Sequence, residues 1–125
     1  MKRLALACIL AAAIVVSGCV QDGGEDIVLS DGMVLTQEQC ASRGIQESVV
    51  VFFSPGCPAC ARALPVLEEI QGEMPDRDFR FINIAEDTED VAELRMVPTH
   101  VPTVVARCHV IVGAKTKEEY LSYIR

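Results

Sequence analysis

Ser48-Val49-Val50-Val51-Phe52-Phe53-Ser54-Pro55-Gly56-Cys57-Pro58-Ala59-Cys60 holds the densest structural information in this chain. Its first six residues are a continuous β-branched and aromatic run, the pattern of a central strand buried on both faces. Ser54-Pro55-Gly56 predicts a tight turn. From Ala61 to Gly72, Leu64, Leu67 and Ile70 recur at helical spacing, with Arg62, Glu68, Glu69 and Gln71 left for a solvated face. Pro65 falls inside this helix and is expected to kink it. The two cysteines therefore sit where a strand gives way to a helix. A thiol is a useful nucleophile at neutral pH only as thiolate, and the free N–H groups and positive dipole of a helix N-terminus stabilise that form. Cys57, just before the helix, is placed to collect this stabilisation. Cys60, three residues on, lies on the same face and can attack a mixed disulfide formed at Cys57. Pro58 suits the first helical position, where its missing N–H leaves no bond unmade.

Working outward, Phe79–Ile84 predicts a further strand and Thr88–Arg95 a short acidic helix. Thr103–Ala106 and His109–Val112 predict a hairpin with Arg107-Cys108 at its turn. Thr116-Lys117-Glu118-Glu119 is a capping-box pattern opening a last helix through Ile124. Upstream, Ile27–Leu29 and Met33–Leu35 suggest a weak strand or extended lead-in. Thr36-Gln37-Glu38-Gln39 is another capping box, for a helix reaching about Arg43 and ended by Gly44. Strands and helices in this alternation imply an α/β architecture, a central mixed sheet flanked by helices.

Totals fit one domain. The chain has 125 residues, a formal net charge of -7 and no tryptophan, and 18 acidic residues face 11 basic ones. That balance argues against nucleic acid as a partner, since phosphate recognition needs clustered Lys and Arg. Hydrophobic residues make up 50% of the chain but gather in only one long run, at the start, which excludes a polytopic membrane protein. Met1-Lys2-Arg3 is a positive n-region, Leu4–Val16 an apolar h-region shorter than the roughly 20 residues of a bilayer span, and Ser17-Gly18 a small-residue site. Val16-Ser17-Gly18-Cys19 resembles the lipobox of prokaryotic lipoproteins. That resemblance implies removal of residues 1–18 as a signal peptide, lipidation of Cys19 and an extracytoplasmic chain held to the membrane. An uncleaved N-terminal anchor is the competing reading, with the same location. Residues 19–26 then form a polar, acidic tether, and the domain spans 27–125.

Strand, turn, Cys57-Pro58-Ala59-Cys60 and helix resemble the thioredoxin superfamily. Pro65 matches the proline of that family's active-site helix, Val101-Pro102-Thr103 resembles its cis-proline loop, and Gly113 falls where the family often carries glycine. The resemblance implies a thioredoxin-like fold and a thiol–disulfide oxidoreductase with Cys57 as nucleophile and Cys60 as resolving thiol. It further implies that Pro58, Ala59, Val101 and Pro102 face the substrate. No diffusible cofactor or metal is implied beyond the redox-active Cys57–Cys60 pair. Protein thiols and disulfides would be the partners of a monomeric module, together with an integral-membrane electron carrier. Departures are specific: the family's buried Asp before the first cysteine is Val51 here, and its lysine partner is Phe81. Pro after the first cysteine and Val before Pro102 are closer to glutaredoxins and periplasmic disulfide oxidases.

Several alternatives stay open. A non-catalytic thioredoxin-like binding or metal-handling module is the competing function, with Cys57-x-x-Cys60 as half of a zinc site completed by Cys108 and His109. In the implied topology Cys40 and Cys108 approach the pole opposite the active site, where they form either a structural disulfide or two free thiols. His100 either stabilises the Cys57 thiolate or is a solvated loop residue. The acidic group Glu86, Asp87, Glu89, Asp90 and Glu93 either steers a basic partner or forms a solvated helix face.

Overall fold

The computed structural model describes residues 25–125. The expected signal peptide, the Cys19 expected to carry lipid and the expected tether up to residue 24 lie outside the described residues. In chain order the elements are β1 (Ile27–Leu29), α1 (Gln37–Arg43), β2 (Ser48–Phe53), α2 (Pro58–Glu73), β3 (Asp78–Asn83), α3 (Thr88–Leu94), β4 (Met96–Pro98), β5 (Thr103–Ala106), β6 (His109–Val112) and α4 (Lys117–Ile124).

The apolar run forms β2 and is interior to a four-stranded mixed sheet of order β3-β2-β5-β6, parallel between β2 and β3 and antiparallel across the other pairs. Because side chains alternate across a strand, β2 feeds two separate cores. Val49 and Val51 pack with Ala63, Leu67 and Ile70 of α2 and with Tyr120 and Ile124 of α4. Val50 and Phe52 pack on the other side with Leu29, Cys40, Leu94 and Met96. All four β2 residues are fully buried. The result is three layers, with α2 and α4 on one face of the sheet and α1, α3 and a small ribbon on the other.

That ribbon is β1 paired in parallel with β4, Val28 opposite Val97. It stands apart from the four-stranded sheet. β4 carries no strand signal of its own in the sequence, because a three-residue segment ending in proline is too short to show a period. The second half of the lead-in joins the main sheet instead: Val34 bridges His109, with Val110 N–H donating to Met33 O at 2.8 Å and Leu35 N–H to Cys108 O at 2.7 Å.

Caps explain where the helices begin. At α1 the Thr36 hydroxyl accepts from Gln39 N–H at 3.1 Å while Thr36 N–H donates to Gln39 Oε1 at 2.8 Å, a complete capping box, and Gly44 closes the helix in the left-handed region. At α4 the Thr116 hydroxyl accepts from Glu119 N–H at 3.2 Å, but the Glu119 carboxylate accepts from the Thr116 hydroxyl at 3.1 Å rather than from the Thr116 N–H. Only half of that predicted box is therefore built. Helix α2 starts at Pro58, the first helical position the sequence assigns to it, with Cys57 as N-cap accepting from Cys60 N–H through its own sulfur.

Candidate active site

Gly56, at φ +74°, ends the turn after β2 in a backbone conformation open to glycine at no steric cost, and this brings Cys57 to the N-cap of α2. Cys60 N–H donates to Cys57 Sγ at 3.1 Å. The Cys57 thiol in turn donates to Val101 O at 3.6 Å. Cys57 and Cys60 are both free thiols, the first half-buried and the second 1% exposed.

Their environments drive their acidities apart. Cys57 is held below the usual thiol range, first by a hydrogen bond from the Cys60 side chain, then by the backbone N–H groups of Cys60 and Ala59 and the positive charge of Arg62, against an opposing desolvation. Burial is the main reason that the Cys60 thiol is pushed up to about 11, with its hydrogen bond to Cys57 adding to the effect. One sulfur is thus prepared to attack and the other to hold its proton until a mixed disulfide exists. Val51, where a proton-accepting carboxylate would sit in thioredoxin, is fully buried among Ala63, Leu67 and Tyr120.

The Val101–Pro102 peptide bond is cis, and the loop it forms is fixed on two sides. Gly113 N–H donates to Pro102 O at 2.8 Å, and the Thr103 hydroxyl donates to His100 O at 2.5 Å. Pro58 and Ala59 occupy the first turn of α2 beside the sulfur, Pro58 exposed and Ala59 half-buried. The structure therefore brings together Cys57, Cys60, Pro58, Ala59, Val101 and Pro102. The His100 ring is exposed and lies 3.2 Å from Thr99 Oγ1. The charge that reaches Cys57 is that of Arg62 instead.

Cys40 and Cys108 are joined in a disulfide, with Cα atoms 6.1 Å apart, inside the usual range for such a bond. This removes Cys108 from the zinc alternative. Among the described residues, no group of three or more His, Cys, Asp or Glu is placed to hold a metal ion. A groove of about 360 Å³ between α1, β3 and α3, lined by Arg43, Arg80, Phe81, Asp90 and Glu93, includes neither Cys57 nor Cys60. Disulfide exchange needs contact at an accessible sulfur rather than an enclosed cavity.

A cysteine of lowered pKa at a helix N-cap, a buried partner one turn on and a cis-proline loop against the first sulfur form one known arrangement, and comparison with known proteins agrees. The Glutaredoxin family model matches residues 49–111. The chain belongs to this family, within the thioredoxin superfamily. It is 37% identical over 79 residues to a thioredoxin of Methanocaldococcus jannaschii, covering 62% of this chain and 91% of that one. A glutaredoxin of Haemophilus influenzae is 47% identical over 36 residues, 29% of this chain and 41% of that one. Among solved structures, the thioredoxin of Fasciola hepatica superposes with a TM-score of 0.51 at 20% identity, over 70% of this chain and 86% of the other. A chain from a structure concerning thiol resolution in yeast mitochondrial 1-Cys peroxiredoxin gives the same score and identity over 78% and 92%. These structural likenesses bear on the fold alone. As a member of this family, the chain is a thiol–disulfide oxidoreductase.

Sequence reasoning puts both sulfurs and the loop in one place, where the structure brings them together. It missed Thr99, whose hydroxyl donates to Leu29 O at 3.0 Å, and Arg43, whose guanidinium reaches several distant carbonyls. Neither carries a local signal, because the partners are main-chain groups far away in sequence.

Proposed function

We propose that this protein is an extracytoplasmic, membrane-tethered oxidoreductase that exchanges disulfides with protein substrates through Cys57 and Cys60. The observation that carries the chemistry is the opposed pair of acidities at one helix N-terminus, beside a carbonyl of the cis-proline loop. In the reductive direction the Cys57 thiolate attacks a substrate disulfide sulfur and expels one substrate thiolate, leaving a mixed disulfide. Cys60 then loses its proton and attacks Cys57 Sγ. The second substrate thiol leaves, the Cys57–Cys60 disulfide forms, and two electrons have passed to the substrate. The oxidative direction reverses these steps. Pro58, Ala59, Val101 and Pro102 surround Cys57, where the substrate chain lies during exchange.

The location rests on the sequence Met1–Cys19, with Cys19 as the lipid-bearing residue, and suits a chain that keeps a Cys40–Cys108 cross-link, since such bonds persist in oxidising compartments. Membrane attachment would place the site within reach of an integral-membrane electron carrier. Among the described residues no helix is long and apolar enough to cross a membrane.

The full-length chain with Cys60→Ala tests this reading. The substitution leaves Cys57 unable to be released by its partner, so substrates should accumulate on Cys57 as mixed disulfides in the membrane fraction, and their identities report the direction of exchange. Adding Cys19→Ser should move the trapped species to the soluble fraction. Failure of wild type to reduce insulin in a Cys57-dependent way, with Cys57→Ser as control, would overturn the enzymatic reading. Membrane retention of the Cys19→Ser protein would overturn the lipid anchor.

A further inference from the structure

Arg43 is the last residue of α1, and its guanidinium meets four main-chain carbonyls. Nε donates to Leu94 O at 2.7 Å, Nη1 to Gln39 O at 2.9 Å, and Nη2 to Glu25 O at 2.9 Å and Arg95 O at 3.4 Å. Those carbonyls belong to three segments: its own helix, the residues leading into β1, and the end of α3 where the chain turns into β4. A rigid fork of five donors suits such a junction. Ile27 N–H donates to Arg95 O at 2.9 Å, so the guanidinium closes one end of the β1–β4 ribbon. Helix α1 is itself held by Cys40, its single buried residue and one half of the disulfide.

At the other end of the ribbon the Thr99 hydroxyl donates to Leu29 O at 3.0 Å. Thr99 lies two residues before Val101, whose carbonyl accepts from Cys57 Sγ at 3.6 Å. The Val101 side chain packs on the same apolar cluster as Leu29 and Met96, from the inner face of the ribbon. The ribbon has only three residues per strand and lies off the main sheet, so its ends and its few inward side chains set its position. A continuous set of bonds therefore runs from Arg43 through β1 and β4 to the segment beside the reactive sulfur.

We propose that Arg43 is a positioning residue for protein-disulfide exchange, holding the Val101–Pro102 segment against Cys57 through the β1–β4 ribbon and Thr99. This inference rests on the exchange function of Cys57 and Cys60 proposed above. A protein substrate must lie along that segment, whereas a small aromatic disulfide needs only the Cys57 sulfur. Displacement of the segment therefore raises KM for the protein and leaves the small disulfide unaffected.

Arg43→Met keeps the aliphatic stem and removes every donor. Arg43→Lys keeps the charge on a single nitrogen that cannot span the same carbonyls. Thr99→Val removes the hydroxyl at the exposed far end without touching Arg43. In Arg43→Met and Thr99→Val, KM for insulin should rise on the order of 10-fold with kcat retained. The rate of dithiobis(nitrobenzoate) reduction should stay close to wild type, and for insulin KM Arg43→Lys should fall between wild type and Arg43→Met. A merely structural role would lower the melting temperature and leave KM in place. Unchanged KM in Thr99→Val, or in folded Arg43→Met, overturns the proposal, and Thr99→Val decides alone should Arg43→Met not fold. Absence of Cys57-dependent reduction of either substrate by wild type is a different result, and it overturns the exchange reading itself.

Discussion

Cys57 and Cys60 share one helical turn, yet folding moves their protons in opposite directions. For Cys57 the folded pKa is depressed by the Cys60 hydrogen bond, the helix N–H groups and Arg62. Its stabilising contribution is present above the unfolded thiol value and is lost as pH falls through the folded one. For Cys60 burial raises the folded pKa to about 11. Its contribution is complete below the unfolded value of about 8.5 and is lost as pH rises through the folded one. The dithiol protein should therefore lose stability between about 8.5 and about 11 in excess of a Cys60→Ala variant, which lacks this titration. Melting curves of the two proteins across that range check it, and parallel curves would show that burial of Cys60 is not the source. Both sulfurs were legible because Cys-x-x-Cys at a strand-to-helix junction carries its chemistry in its spacing. The Val101 carbonyl was legible only through family resemblance, since nothing local marks a main-chain oxygen as the partner of a distant thiol.

At the scale of elements, caps and β-branched runs carried the most information. The apolar run Ser48–Phe53 is β2 at the predicted bounds, and Thr103–Ala106 with His109–Val112 is the predicted hairpin. The capping box at Thr36 is built as its sequence implies, whereas the similar pattern at Thr116 is half built because the Glu119 carboxylate accepts from the Thr116 hydroxyl instead of the Thr116 N–H. The ribbon β1–β4 was not legible, for its pairing joins segments far apart in sequence and each is too short to alternate. Helix α1 has seven residues and one buried side chain, so its N-terminal cap matters more than it would in a longer helix. Thr36→Ala removes an acceptor for Gln39 N–H and should destabilise the domain by about 1 kcal/mol. A urea midpoint indistinguishable from wild type would show that α1 holds its place without the cap.

Across the whole molecule, the Cys40–Cys108 cross-link spans a sequence separation of 68 residues, which includes β2, α2, β3, α3, β4 and β5. Closing a loop of that length restricts the unfolded chain by about 4 kcal/mol on the chain-entropy account. The double variant Cys40→Ala/Cys108→Ala should lose stability of this order in chemical denaturation, while Cys57 keeps its alkylation rate in the folded protein. A loss below about 1 kcal/mol would show that the unfolded chain is already restricted by other means. The bond also joins layers: one half lies in α1, on the face carrying the ribbon, and the other in the turn between β5 and β6.

That turn has a consequence for how the sequence can change. Arg107 and Cys108 are its two residues, at φ +49° and +67°, a left-handed pair for which Asn-Gly is the favoured choice. Here a residue with a side chain occupies the second position because its sulfur completes the cross-link. A mutation that removes Cys40 leaves Cys108 with a lone thiol in a backbone conformation better suited to glycine. A mutation that removes Cys108 leaves Cys40 as a buried free thiol, which packs as a small apolar side chain. Either single loss already forfeits the whole cross-link, and of the two only glycine at position 108 relieves the turn's left-handed backbone in the same step, so the least costly path away from the pair runs through that position.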